Sequence, residues 1–114
     1  AAMLAGELRL TGLTAILDFN RLSQTRSTTG AHPPDLLPGR WRGFGWEVRE
    51  VDGHDVSALA AALDRPADGR PLLVVAHTVK GRGVSFMEGR PEWHSHPLTR
   101  EQAEQALAEL GVRP

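Results

Sequence analysis

The chain alternates short apolar runs with polar breaks marked by glycine or proline, and the spacing inside each run assigns it to a helix or a strand. Residues 1–10 are good helix formers except Gly6, with Met3, Leu4, Leu8 and Leu10 apolar, and predict a helix that stops near Thr11 and Gly12. No Ser, Thr, Asp or Asn precedes it as a cap, so either its beginning lies in sequence outside this chain, the reading preferred here, or the terminus is frayed. Residues 13–17 form a continuous apolar run after a glycine, as expected of a strand buried on both faces, with Asp18, Phe19 and Asn20 at its carboxyl end. The stretch 23–38 is polar and proline-rich and reads as a long surface loop. Residues 36–44 predict a short helix with Leu37, Trp41 and Phe44 turned inward, ended by Gly45.

Residues 46–51 read as a second strand at the edge of a sheet, with Trp46, Val48 and Glu50 on one side and Glu47, Arg49 and Val51 on the other. Asp55 is placed to cap a helix whose Val56, Leu59, Ala60 and Leu63 form an amphipathic stripe, and Pro66 bars its continuation. After a turn at Asp68, Gly69 and Arg70, residues 71–79 give a third strand that is almost wholly apolar at its centre. Gly81 and Gly83 open a flexible loop that runs past Trp93 and His94. Thr99 and Gln102 then fit a capping box, and Ala103, Ala106, Leu107 and Leu110 supply a last stripe closed by Gly111. Strand, helix, strand and helix in this order indicate an α/β layered fold with a parallel sheet. Three strands are few for such a sheet, so other residues are expected to complete it.

A chain of 114 residues has room for one modest domain and is short for an independent cofactor enzyme. Its 13 Lys and Arg are dispersed and balanced by 14 Asp and Glu, which gives no concentrated positive field for nucleic acid or an anionic membrane. The absence of Cys excludes disulfides and thiolate chemistry within the chain. No apolar run approaches the length of a membrane span, and the first residues lack the pattern of a secretion signal. A cytoplasmic location is therefore expected.

Ligands of parallel α/β sheets bind beyond the carboxyl ends of the strands, where this reading places residues 18–20, His54 with Asp55, and residues 80–83. Asn20 offers a neutral amide oxygen suited to magnesium or calcium, and the backbone carbonyl near Leu22 offers a second; two oxygens are too few for a site by themselves, and an Asn after a strand more often serves as a turn former. Lys80, followed by Gly81 and Gly83, is placed either to approach a phosphate or to sit in a solvated turn, without the pattern of a phosphate-binding loop. His94 and His96, beside Trp93, suit a metal or a donor to a phosphate or substrate oxygen. His54 and Asp55 are assigned to a turn and a cap. Ser57, Ser85 and Ser95 lack a nucleophile elbow, and no His-Glu-x-x-His pattern occurs.

The run Leu17-Asp18-Phe19-Asn20-Arg21-Leu22 and the later run from Phe44 to Asp55 strongly resemble transketolase, in the thiamine diphosphate-binding half of its N-terminal region. The run from His77 to Glu88, then Pro91-Glu92-Trp93-His94, resembles the same family, and the likeness covers residues 1–114. It is nearest to the bacterial form in which transketolase is split into two polypeptides.

The resemblance implies the C-terminal portion of a three-layer, parallel-sheet α/β domain, completed by another segment or chain. It implies thiamine diphosphate bridged by Mg2+ or Ca2+, with Asn20 and the Leu22 carbonyl matching cation ligands. Lys80 and His94 match residues near the diphosphate and the substrate entrance, His94 as both a cofactor-binding and a catalytic group. The implied reaction moves a two-carbon ketol unit from a ketose to an aldehyde.

Departures from the family pattern are equally specific. The Gly-Asp-Gly segment that carries the acidic cation ligand is absent, and residues 1–3 resemble the middle of the helix that follows it. The pyrimidine-binding domain is absent too. Partners bearing these two parts, in a hetero-oligomer, are expected. Ser95 stands where Gly is usual and His96 where Lys is common, which keeps open another thiamine-dependent acyl or ketol transferase of a biosynthetic pathway. A structural or regulatory subunit, and a truncated product of a longer chain, are further alternatives.

Overall fold

The structure, a computed structural model, describes residues 1–23, 27, 33, 36–64 and 68–112. Its elements are α1 (Ala2–Glu7), β1 (Thr14–Phe19), α2 (Leu37–Gly43), β2 (Glu47–Asp52), α3 (Val56–Leu63), β3 (Leu72–His77), a 3-10 turn (Pro91–His94) and α4 (Arg100–Glu109). Two compact units result: Ala1–Phe19 with Thr29–Thr78, and Asn20–Thr28 with Val79–Pro114. Among the described residues no helix is long and apolar enough to cross a membrane. Most of the expected loop at 23–38, and the expected helix stop at Pro66, lie outside the described residues, and the last two loop positions, Leu37 and Pro38, already belong to α2.

The first unit holds a parallel sheet in the order β1-β3-β2, with Ile16 and Arg49 both registered against Val74. The most apolar strand, β3, takes the centre, where both backbone edges are paired and both faces are covered. Its residues alternate between two clusters. Leu73 and Val75 pack with Ala5, Phe19, Leu37 and Trp46, whereas Leu72 and Val74 pack with Ala62. The four are at most 1% exposed.

The edge position and alternation expected of β2 are both present. Val48 packs on the first cluster and Val51 on the second. On the Val51 side, the Arg49 guanidinium donates to the Ala62 carbonyl at 2.8 Å and to the Glu47 carboxylate at 2.7 Å, tying α3 to the sheet.

The expectation that the first strand is buried on both faces does not hold. β1 is the other outer strand: Ala15, Leu17 and Phe19 pack on the first cluster, but Ile16 on the opposite face is 59% exposed. A continuous apolar run reports what a strand can bury, not which neighbours are there to bury it.

α3 is rotated from the expected stripe. Asp55 caps it as expected, its carboxylate accepting the Ser57 and Ala58 N–H groups at 2.9 and 3.0 Å. The inward positions are Leu59 and Ala62, and Val56 and Leu63 face outward at 79% and 42% exposure. Small Ala62 permits the approach that lets Arg49 reach the helix backbone. Leu37 and Trp41 of α2 pack on the core as expected, but Phe44, also expected inside, is the C-cap of the helix and is exposed.

α1 is shorter than expected because it ends before Gly12. Arg9 adopts the left-handed conformation, φ 48°, so that Arg9 N–H donates to the Gly6 carbonyl and Leu10 N–H to the Ala5 carbonyl, a Schellman closure built on an arginine. The helix docks through Ala5 and Gly6, and Trp46 Nε1 donates to the Ala2 carbonyl at 2.8 Å.

In the second unit the capping box of α4 is complete. Thr99 Oγ1 accepts Gln102 N–H at 3.2 Å, and Gln102 Oε1 accepts Thr99 N–H at 3.0 Å. Gly111 follows the helix as expected, and Ala106 is its buried residue; Leu107 and Leu110 are exposed, so half of the expected stripe is uncovered. The segment expected to be a flexible loop is instead a succession of closed turns. Val84 N–H donates to the Gly81 carbonyl, Met87 and Glu88 N–H to the Val84 carbonyl, and Gly89 N–H to the Lys80 carbonyl at 2.8 Å.

Candidate functional site

The chain leaves β1 through Asn20, and its next residue, Arg21, has a left-handed φ of 62°. Non-glycine residues adopt that conformation at a cost, and such strain concentrates at functional sites. Its effect is local and visible: Asn20 Oδ1 accepts Leu22 N–H at 2.9 Å, and Leu22 pairs with Ser27 in an isolated antiparallel bridge. Asn20 is therefore a turn former. A carbonyl oxygen has two lone pairs, and the turn uses one of them.

Lys80 comes three residues after β3 and is half-buried at the neck of the closed turns. Gly81 permits that neck. Its φ is +69°, and a β-carbon there would lie 2.7 Å from that of Met87. His94 ends the 3-10 turn Pro91–His94. Trp93 beside it packs edge-on against Phe86 and His96, each with ring centroids 5.2 Å apart. The Trp93 indole N–H is buried and finds no acceptor among the described residues.

These residues converge. A cavity of about 310 Å³ in the second unit is lined by Asn20, Leu22, Ser23, Lys80 and His94. All four residues singled out in the sequence line it, and Ser23 is the one the sequence reading missed; its only signal there was its place immediately after Leu22. The side chains of the lining residues include an amide, a hydroxyl, an amine and an imidazole, groups of the kind that bind oxyanions or hard cations. The set contains no carboxylate. Among the described residues no group of three His, Cys, Asp or Glu is placed to hold a metal alone.

The other polar candidates have structural partners. The Thr78 hydroxyl donates to Asp18, the His77 ring lies 3.2 Å from Glu50, and Asp52 accepts His54 N–H at 2.9 Å. His96 packs on Trp93 and does not line the cavity. Ser95 has a negative φ of −143°, outside the left-handed region that favours glycine, so the backbone accommodates a side chain there. A broader cavity of about 530 Å³ in the first unit is lined by Glu7, Arg9, Asp68 and Arg70 among others. Its charges balance, and it gathers none of the expected site residues.

Comparison with known proteins gives this arrangement a family. A sequence model described as "Transketolase, thiamine diphosphate binding domain" matches residues 1–114. A 6-deoxy-6-sulfo-D-fructose transketolase subunit of Clostridium sp. (strain MSTE9) is 38% identical over 112 residues, which cover 96% of this chain and 41% of that protein. An apulose-4-phosphate transketolase subunit of Actinobacillus succinogenes is 39% identical over 111 residues, 96% of this chain and 40% of the relative. The crystal structure of transketolase from Campylobacter jejuni superposes with a TM-score of 0.85 at 28% identity, over 97% of this chain and 18% of that one. A transketolase from Pichia stipitis in complex with sedoheptulose 7-phosphate gives 0.85 at 33% identity, over 97% and 17%. The chain thus spans well under half of the proteins it matches. On the match along its length and the shared fold, the chain belongs to the transketolase family, within the thiamine diphosphate-binding domain.

Proposed function

We propose that this chain is a component of a thiamine diphosphate-dependent transketolase, one that transfers a two-carbon ketol unit from a ketose donor to an aldehyde acceptor. The observation that carries the reading is the single cavity lined by Asn20, Leu22, Lys80 and His94. The second lone pair of Asn20 Oδ1 and the Leu22 carbonyl suit Mg2+ or Ca2+, hard cations that bind neutral oxygens well when an acidic ligand and phosphate oxygens complete the shell. In this reading the acidic ligand comes from a Gly-Asp-Gly segment in another part of the protein or another chain. A further chain supplies the pyrimidine-binding domain, which makes the working enzyme heteromeric. The exposed apolar residues Met3, Leu4 and Leu8 along and just after α1, and Ile16 on the opposite face of the sheet, accord with a larger assembly that covers them. A cytoplasmic location belongs to the same proposal and accords with the absence of Cys.

Thiamine diphosphate, when bound, supplies the carbanion chemistry that breaks and remakes the ketol carbon–carbon bond. This chain's residues supply orientation and charge. Asn20 and Leu22 hold the cation, Lys80 neutralises phosphate charge, and His94 donates to oxygens that gain negative charge during the transfer.

Calorimetry of the assembled enzyme with thiamine diphosphate and magnesium tests the reading. Asn20→Ala is expected to weaken cofactor binding at least about tenfold, the scale of losing one charge-assisted contact; unchanged affinity removes Asn20 from the site. Relatives named for a sulfonated fructose and for apulose 4-phosphate make the donor sugar an open variable, and product analysis across ketose donors fixes it.

A further inference from the structure

One carboxylate joins the last turn of α4 to the closed turns at 80–89. Glu109 Oε2 accepts the Ser85 backbone N–H at 2.6 Å, its Oε1 accepts the Ser85 hydroxyl at 2.7 Å, and Gln105 Nε2, one helical turn back, donates to the same Oε1 at 2.7 Å. A carboxylate in this position faces the negative end of the helix dipole, and no basic residue occupies the last turn to offset it. Its charge is answered by the donors of the neighbouring segment instead. Those donors, the Ser85 N–H foremost, hold the Glu109 carboxyl below the usual carboxylate range.

The same segment is fixed elsewhere. Gly83 lies against Leu110, with room for a β-carbon only 3.1 Å from Leu110 Cδ2, and Val84 is 5% exposed. At the base, Gly89 N–H donates to the Lys80 carbonyl at 2.8 Å. The segment is thus clamped at its crown by Ser85 and Glu109 and closed at its neck by Lys80 and Gly89. Lys80 is also a wall of the candidate cavity.

We propose that Glu109 is a positioning residue for the cofactor site: by holding Ser85 it fixes the segment 80–89, and through that segment the place of the Lys80 ammonium in the cavity. The identity of what Lys80 meets rests on the transketolase reading; the clamp is a property of this chain alone.

The test uses the complete protein that carries this chain, assembled with its partners, as wild type, Glu109→Ala, Ser85→Ala and the double variant. Amide hydrogen exchange is read separately for residues 83–89 and for α4, and affinity for thiamine diphosphate with magnesium is read by calorimetry. Glu109→Ala is expected to speed exchange in 83–89 while leaving α4 protected, and to weaken cofactor binding roughly fivefold with kcat at saturating cofactor unchanged. Ser85→Ala, which keeps the backbone donor, gives a smaller loss. The double variant is no worse than Glu109→Ala, because the two groups act as one contact.

Unchanged exchange in 83–89 overturns the clamp. Loosening without loss of affinity overturns the positioning role, as does a rise in exchange shared equally by α4. If Glu109→Ala fails to assemble, the same two readouts on Ser85→Ala decide the matter. A wild-type assembly that binds no thiamine diphosphate sinks the transketolase reading and the positioning role with it, while the exchange contrast still decides the clamp.

Discussion

The Phe44 carbonyl oxygen lies against the bare Cα of Gly6, so close that a β-carbon at Gly6 would stand 1.6 Å from it. Glycine weakens a helix, and at this place it is what allows α1 to dock. Gly6→Ala gains about 1 kcal/mol in helix propensity and is nonetheless expected to destabilise the protein by roughly 2–4 kcal/mol, because both colliding groups are backbone or fixed to it. Thermal denaturation checks this: a Tm equal to or above that of the parent shows that α1 is not packed in this way.

Thr99 is the sole side-chain cap of α4, and its reciprocal partner Gln102 completes the box. Thr99→Ala is expected to cost about 1 kcal/mol and Thr99→Ser little. Chemical denaturation of the two variants separates the lost hydroxyl from the lost methyl; equal stability of all three proteins contradicts the cap.

Lys80 and His94 share a cavity but are assigned different work. Lys80→Met is expected to weaken thiamine diphosphate binding about tenfold with a modest effect on kcat once cofactor saturates. His94→Ala is expected to lower kcat by on the order of 10²-fold, as for a lost donor to developing charge. Steady-state kinetics over a range of cofactor concentrations separates the two, and identical profiles for both variants refute the division of roles.

Glu101 and Glu109 have carboxyl groups held below their ordinary value, the first chiefly by its own backbone N–H and then by the Thr99 hydroxyl, the second chiefly by the Ser85 N–H and then by Gln105. A lowered folded value means that these contacts stabilise fully above the unfolded carboxyl value of 4.5 and lose their contribution as pH falls below it through the folded values. Both groups are solvent-exposed, so each effect is small and screened. Tm is therefore expected to hold between pH 7 and about pH 5 and to decline below that. The double variant Glu101→Gln/Glu109→Gln is expected to decline less, and a parallel decline removes these two groups as its source.

The legible parts of the fold are the local ones. Asp55, Thr99 with Gln102, and Gly111 act within a few residues of themselves, so their sequence spacing already states their geometry. The apolarity of 71–79 likewise announces a strand, and the structure places it at the centre of the sheet. What escaped depends on neighbours distant in sequence. The outward face of β1, the rotation of α3 onto Leu59 and Ala62, and the approach of Gly6 to Phe44 are set by packing partners that periodicity does not name. At the candidate site, Asn20 read alone is more often a turn former than a ligand, and it does form the turn. Lys80 and His94 are brought beside it by tertiary structure; the parallel-sheet reading places Asn20 and Lys80 at one edge, and the resemblance to a family adds His94 and Leu22, whereas Ser23 belongs to no motif and escapes both routes.

β1 pairs with β3 along one edge and, among the described residues, leaves its other edge without a ladder partner. An open strand edge is a template for any extended polypeptide, and here the exposed Ile16 adds adhesive surface beside it. For as long as that edge stays open, the stretch is vulnerable to aggregation. Its safety in a cell then depends on timing: how soon after emerging from the ribosome it is covered, and whether a chaperone shields it in the interval.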